Sequence, residues 1–511
     1  MKKRHLSWLL LATACMYGKP ADEEEMRVEV PEAWATTLSQ PGSGSAPLTE
    51  EQQQQWWRSF GDDKLDGFVL ELLQNNRELG AAFQRIKMAQ ANATIAGAEQ
   101  LPWAGAGASA GRQRNVLVGF PTPGGEPFKT TATSYGVSLD VSWEIDLWGR
   151  IEARKGAAQA RLIATREDYL GVAYSLIAQT AKAWFTLREA RAQVELAKET
   201  VESRQKSVDL VTERFRQARR QALDVHLARQ QLARAKTNLS LREGLRTQAR
   251  MQLELLLGRY PRGDVEAVEG LPPLPPMPES GIPSEILNRR PDLRVLRQDL
   301  LASRFEISQS RAELLPRISL SSSVGTTSNQ LSDLVDGDFG TWNLFGNLVQ
   351  PIFQGGRLLA QIDASEARYR EALELYANRV LYAFGEVEAA LTQAHWIDQQ
   401  RINAEVVLRE SQSALENSRL RYSDGTVGIL ELLQSERAVF DARSFLLDLQ
   451  RQQLSARIDL HLALGGGFES VEVPPTRQNA NQDDSQGAPG KAETTPEGES
   501  VSEPAKEQVQ R

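Results

Sequence analysis

The chain has 511 residues, 41% hydrophobic and 25% charged, with a formal net charge of −8; it can bury a large body and offers no electrostatic case for nucleic-acid binding. Its single cysteine excludes an intramolecular disulfide, and its four histidines, His5, His226, His395 and His461, lie far apart in the sequence. No run approaches the roughly 18 apolar residues of a transmembrane helix, so any membrane crossing has to use strands.

Lys2, Lys3 and Arg4 followed by the apolar residues 6–14 read as a signal peptide over residues 1–14. Two readings of its end stay open. Leu-Ala-Thr-Ala-Cys is similar to a lipoprotein cleavage box, with Cys15 as the acylated first residue, although Leu11 stands one position early and Ala12 where Leu is usual. Ala12-Thr13-Ala14 also fits an ordinary signal-peptidase site. Met16 follows in place of the Asp of an inner-membrane retention signal. Residues 15–55 then form an acidic, Gly/Ser/Pro-rich arm.

Residues 56–270 make one structural unit: a helix, a strand, a loop, a second strand and two very long helices. The first strand begins at Trp103, in a run of small residues; its Gly105-Ala106-Gly107 lacks the rest of a nucleotide fingerprint. In the second strand Tyr135, Val137, Leu139, Val141, Trp143 and Ile145 alternate with Ser134, Gly136, Ser138, Asp140, Ser142 and Glu144. That period of two suits an outer-membrane strand, and equally a soluble sandwich. No proline then occurs from residue 128 to 260. Leu176, Ala183, Ala190, Ala197 and Val211 form one seven-residue ladder, broken by Arg204, and Thr180, Leu187, Val194, Val201, Val208 and Phe215 the other. This is a coiled-coil seam. It reverses over residues 214–227, and Val225, Leu232, Leu239 and Leu253 resume it as an antiparallel hairpin.

A proline-rich linker, residues 271–283, leads to a second unit at 284–468, and a polar tail at 469–511 reads as disordered. The second unit repeats the first. One constant offset takes Gly149 to Gly356, Arg150 to Arg357, Ala160 to Ala367, Phe215 to Tyr422, Asp224 to Glu431 and Gly258 to Gly465. The duplicated unit, roughly 200 residues long, is far beyond a solenoid repeat. Its strands begin at Ile318 and, more weakly, at Trp342, Leu344, Leu348 and Ile352, and its seam is broken by Arg401.

Four bilayer-length strands per chain are too few to close a barrel, and an open edge in lipid leaves backbone groups unpaired at several kcal/mol each. The chain is therefore expected to oligomerise head to tail, a trimer giving about twelve strands around a lumen. The fold class expected is an α+β membrane protein: a trimeric outer-membrane β-barrel continuous with a long periplasmic α-helical barrel, built by internal duplication.

The segments QWWRSFGDDKLDGFV, SWEIDLWGR, LNRRPDL, RAELLPRISL, QPIFQGGR, VLYAFGEVEAAL and RYSDGTVGILELLQSERAVFDAR occur in this order between residues 56 and 467. In them the chain resembles the outer-membrane efflux (TolC-like) family, and within it the NodT-type lipoproteins of resistance–nodulation–division (RND) pumps. The resemblance implies a homotrimer held by outer-membrane lipid, a periplasmic adaptor (membrane fusion protein) and an inner-membrane RND transporter as partners, and no cofactor. It implies a passive duct whose hairpin tips close the channel and contact the adaptor. By position, Asp224, Tyr422, Glu431 and Gln434 are the gate candidates, with Arg214, Arg216, Arg219 and Arg220 as their counter-charges. Glu431 replaces a frequent Asp, Gln434 replaces a frequent second acid, and Ala218 stands where a turn glycine is usual. The adaptor-contact candidates are Arg219, Arg220, Gln221, Ala222 and Leu223 in the first tip and Gly425, Thr426, Val427, Gly428 and Ile429 in the second.

Two other classes compete. An enzyme lacks a Cys–His pair or zinc cluster, the one thiol being at the processing site. A periplasmic adaptor would carry one hairpin between split β-domains, whereas two tandem hairpins are read here, each behind a strand pair. Closest is a duct for type I protein secretion, against which a lipoprotein-like Cys15 speaks.

Overall fold

The computed structural model describes residues 20, 30–31, 33–36, 55–117, 127–217, 221–278 and 283–466. Cys15, Arg219, Arg220 and the tail from residue 469 lie outside the described residues. Helices α1 (Asp63–Asn75) and α2 (Arg77–Ala98) precede strands β1 (Trp103–Leu117) and β2 (Phe128–Ile145), then the long helices α3 (Arg150–Arg216) and α4 (Ala222–Leu256). The same order follows in α5 (Pro283–Arg289), α6 (Pro291–Ala312), β3 (Arg317–Ser328), β4 (Gly340–Val349), α7 (Arg357–Ser423) and α8 (Ile429–Ala463). Both α3 and α7 have 67 residues, and both α4 and α8 have 35. At 1.5 Å per residue the longer arms reach about 100 Å.

One helix is expected ahead of each strand pair, and two are found. The breaks fall at Asn76 and Arg290, both in extended backbone. Asn76 caps α2 by accepting from the N–H groups of Glu78 (2.9 Å) and Leu79 (3.0 Å). Pro291, in the first turn of α6, needs no N–H there and keeps Arg290 out of the helical region. Each break also holds the end of a hairpin. Asn76 Nδ2 donates to the Leu256 carbonyl (2.8 Å), and Arg290 Nη1 to that of Ala463 (3.1 Å). Gly258 and Gly465 follow these ends with φ of +74° and +67°. A Cβ would lie 2.6 Å from the Asn75 carbonyl oxygen in the first case and 3.0 Å from the Arg290 nitrogen in the second, so only glycine fits.

LNRRPDL and FGEVEAAL meet at this second break. Arg290 donates to Asp292 (2.9 Å) and Glu386 (2.5 Å), and Arg379 bridges the same two carboxylates (2.6 and 2.8 Å). Burial alone would raise the Asp292 carboxyl, but the two guanidiniums hold it below its ordinary value. Glu388, two residues beyond Glu386, accepts the backbone N–H groups of Ala35 (2.6 Å) and Thr36 (2.9 Å), and Trp34 meets Phe384 edge-on, so the N-terminal arm is fastened to α7.

The largest core gathers Trp56, Phe60, Leu65, Leu72, Trp184, Phe185, Leu187 and Leu253 around α1, α3 and α4. Asp62 organises its edge. It caps α1 through the Lys64 and Leu65 N–H groups, accepts from Trp184 Nε1 (2.7 Å) and forms a buried ion pair with Arg188. His461 of α8 stacks on Trp56, ring centres 5.3 Å apart. Burial and then the nearby Arg457 charge push its pKa down to about 4.

The seam forms as expected from Leu176 to Val211, with Leu187 and Val194 fully buried. Arg204, which interrupts the ladder, is no defect. It pairs with Glu436 of α8, both side chains buried, and Glu436 also faces Ser203 (3.4 Å), Ser207 (3.5 Å) and Arg419 (3.8 Å). Arg401 differs, pairing along its own helix with Asp398 (3.3 Å) and Glu405. Phe215 is exposed instead of joining the seam.

Glu436→Gln leaves the Arg204 charge buried and unpaired and costs about 3–5 kcal/mol, while the Arg204→Met/Glu436→Leu pair recovers most of it; melting followed by helical circular dichroism reads both. Because His461 is held neutral, the stability this brings is present above its unfolded pKa, about 6.5, and is lost as pH falls toward 4. The melting temperature should thus fall between pH 7 and pH 5 more steeply in the native chain than in His461→Phe.

Candidate functional site

Two regions carry the features singled out in the sequence: the sheet and the hairpin tips. The four strands form one antiparallel sheet in the order β1-β2-β3-β4, which leaves β1 and β4 as its edges. The register sorts the side chains into two faces. One holds Val137, Leu139, Val141, Ile318, Leu320, Val324, Trp342, Leu344 and Leu348, several of them well exposed: Val324 53%, Leu344 60%, Trp342 80%. Tyr135 and Trp143 stand on this face of β2, eight residues or about 26 Å apart along the strand, with Ile145 beyond Trp143. The opposite face presents Ser109, Ser138, Asp140, Ser142, Glu144, Ser319, Ser321, Ser323, Thr341 and Asn343, with Gly105, Gly107, Gly136 and Gly325 between them.

β4 ends at Val349, short of the expected Ile352, because Gln350 turns to the Leu314 carbonyl (2.9 Å) and Pro351 follows. The strand-to-helix corner is built by SWEIDLWGR. Trp143 Nε1 donates to the Gln100 carbonyl (2.9 Å), Trp148 Nε1 to that of Pro316 (2.7 Å), and Arg150 to Glu144 (3.0 Å). Asp146 accepts the N–H of Glu152 (2.8 Å) in the first turn of α3. No described helix is long and apolar enough to cross a membrane.

At the far end, the α3–α4 and α7–α8 turns share one apolar cluster of Val208, Val211, Val225, Ala228, Tyr422, Val427, Ile429, Leu432 and Leu433. Arg214 joins the two hairpins: Nη1 donates to the Tyr422 carbonyl (3.0 Å) and its guanidinium lies 4.8 Å from the centre of the Tyr422 ring. Glu431 meets Arg421 (3.3 Å), a counter-charge the sequence did not single out although it stands directly before Tyr422. Arg216 bonds back to Glu213 on its own helix (3.5 Å). Asp224 sits half-buried in the first turn of α4, and Gln434 is exposed. Gly425 takes φ +78° and its N–H donates to the Tyr422 carbonyl (3.2 Å), closing the second turn. Of the adaptor-contact candidates, Gln221, Ala222, Leu223, Gly425, Thr426 and Gly428 are exposed, whereas Val427 and Ile429 are buried in the tip cluster. Among the described residues no group of three or more His, Cys, Asp or Glu converges to hold a metal.

The comparisons with known proteins agree with this architecture. The family model described as outer membrane efflux protein matches residues 69–259 and 282–466, one segment in each half. The chain is 31% identical to the pyoverdine export outer membrane protein OpmQ of Pseudomonas aeruginosa, covering 81% of this chain and 88% of the relative. It is 30% identical to the cation efflux system protein CusC of Escherichia coli K12, covering 90% and 97%. The crystal structure of the Campylobacter jejuni CmeC outer membrane channel superposes with a TM-score of 0.79 at 25% identity, covering 88% of this chain and 95% of that one. Both halves matched in order, and relatives spanned nearly end to end, place this chain in the outer membrane efflux protein family.

Proposed function

We propose that this outer-membrane efflux channel acts as a homotrimeric passive duct for small molecules, opened at its tips by a periplasmic adaptor docked with an inner-membrane RND pump. The observation that carries the reading is the two-faced sheet with two bare edges. Its apolar face suits lipid and its polar face suits water, and the unpaired groups of β1 and β4 can be satisfied by β4 and β1 of neighbouring copies. Three copies give about twelve strands, enough for an open lumen. Exposed apolar side chains on the helices, Leu241 and Leu245 on α4 and Leu381, Trp396 and Val407 on α7, are covered when the hairpins complete a second cylinder below the sheet. The equal lengths and shared glycine positions of the two halves support an origin by duplication.

Acylation of Cys15 would anchor the arm that Glu388 fastens to α7. The names of the relatives, pyoverdine export and cation efflux, favour small solutes over secreted protein as cargo. The wall offers no chemistry, so the energy and most of the selection come from the pump.

The gate reading assigns the resting tip to Arg214 on Tyr422 and Arg421 on Glu431, with Asp224 and Glu431 toward the narrowest point. Such partly exposed contacts are worth roughly 0–1 kcal/mol each, so the adaptor can shift the balance. The Asp224→Ala/Glu431→Ala double variant is expected to raise single-channel conductance in planar bilayers and lower the preference for cations. Unchanged conductance and selectivity would contradict the gate assignment.

A further inference from the structure

The polar face of the sheet carries a feature that the duct reading leaves unused. Trp103, Ser142, Ser321 and Phe345 form one cross-strand row on this face, and Gly105, Asp140, Ser323 and Asn343 form the next. A Cβ at position 105 would lie 2.6 Å from the Trp103 indole, so the ring lies over Gly105, on the same side of the sheet as the Asp140 carboxylate directly opposite. Trp103 is 63% exposed there, on a face made mostly of serine, glycine, threonine and asparagine, with Phe345 at the other end of its row.

Asp140 is held in place without being neutralised. Ser138 Oγ donates to its Oδ2 (2.8 Å) and the Ser323 hydroxyl also bonds it; among the described residues none of its partners is basic. Gly107 keeps the flank of the carboxylate open, since a Cβ there would stand 3.4 Å from Ser138 Oγ and 3.9 Å from Asp140 Oδ2. The other carboxylate of this face, Glu144, is already paired with Arg150 (3.0 Å).

We infer that Trp103 and Asp140 form a subsite on the lumenal wall for organic cations, above all aromatic or quaternary ammonium ions. The carboxylate attracts the charge and the indole face receives the apolar body of the ion, a pairing suited to such ligands. A hard metal ion is a poorer fit, because it needs six or more oxygens where this site gives one carboxylate and two hydroxyls. Repeated around the duct, the subsite gives a ring of negative charge separate from the tips and a foothold for cationic cargo in the membrane section.

The inference rests on the duct reading, and labelling separates the two. Ser142→Cys in the full chain, in membranes, is treated with a trimethylammonio-ethyl or a sulfonato-ethyl methanethiosulfonate, and modification of that peptide is followed by mass spectrometry. After correction for rates with free cysteine, the cationic reagent should react roughly tenfold faster than the anionic one. Asp140→Asn, or Asp140→Ser if the first variant fails to assemble, should bring the ratio near one. Benzyltrimethylammonium should protect the cysteine better than tetramethylammonium, and Trp103→Leu should erase that difference while keeping the charge preference. Equal rates for both reagents with Asp140 present, or protection that survives both substitutions, would overturn the subsite. No labelling by either reagent would instead overturn the reading of this face as water-lined.

Discussion

A strand at the edge of a sheet has a row of backbone groups with nowhere to go, and in lipid water cannot supply the missing partners. Here both β1 and β4 are such edges, while the face between them is apolar enough to sit in hydrocarbon. On the proposed reading this single constraint sets the assembly. Neighbouring copies must complete one another's sheet, and the ring they close decides how the helices below are arranged.

The rest of the chain can be understood as what it takes to hang a hairpin about 100 Å long from such a sheet. The corner at SWEIDLWGR turns a strand into α3 through tryptophan and carboxylate contacts to the neighbouring segments, so the two directions are rigidly related. The helix breaks at Asn76 and Arg290 then grip the C-terminal ends of the returning arms. In the second half this grip is an ion cluster; in the first it is a single amide. The two halves thus solve one geometrical task with different chemistry, as duplicated units do once their sequences diverge. Farther down, Arg204 and Glu436 fix α3 to α8, and beyond them the two tips are joined by a shared apolar cluster and by Arg214 on Tyr422.

What was legible in the sequence was mostly periodic. The alternation from Ser134 to Ile145 announced β2 and its two faces, and the 4–3 ladder announced the hairpins, since these signals lie within one segment. What stayed hidden depends on partners far along the chain. Arg204 reads as a fault in the seam until Glu436, 232 positions away, is seen beside it. His461 reads as a lone helix residue until Trp56 is found stacked on it. Pro291 did carry a signal for the break before α6, and Pro351 for the early end of β4. Val427 and Ile429 read as turn residues available to a partner, yet both are committed to the tip cluster. That Trp103 and Asp140 stand on adjacent cross-strand rows of one face was invisible for another reason: it depends on the register, which no single strand encodes.

On the proposed reading each protomer's sheet is completed by its neighbours. Light scattering of the full-length processed protein in detergent, corrected for the micelle, tests it most directly. The protein mass should be three times that of the mature chain, with no species stable once the detergent is removed. A uniform single-chain species that stays in solution without detergent would contradict it.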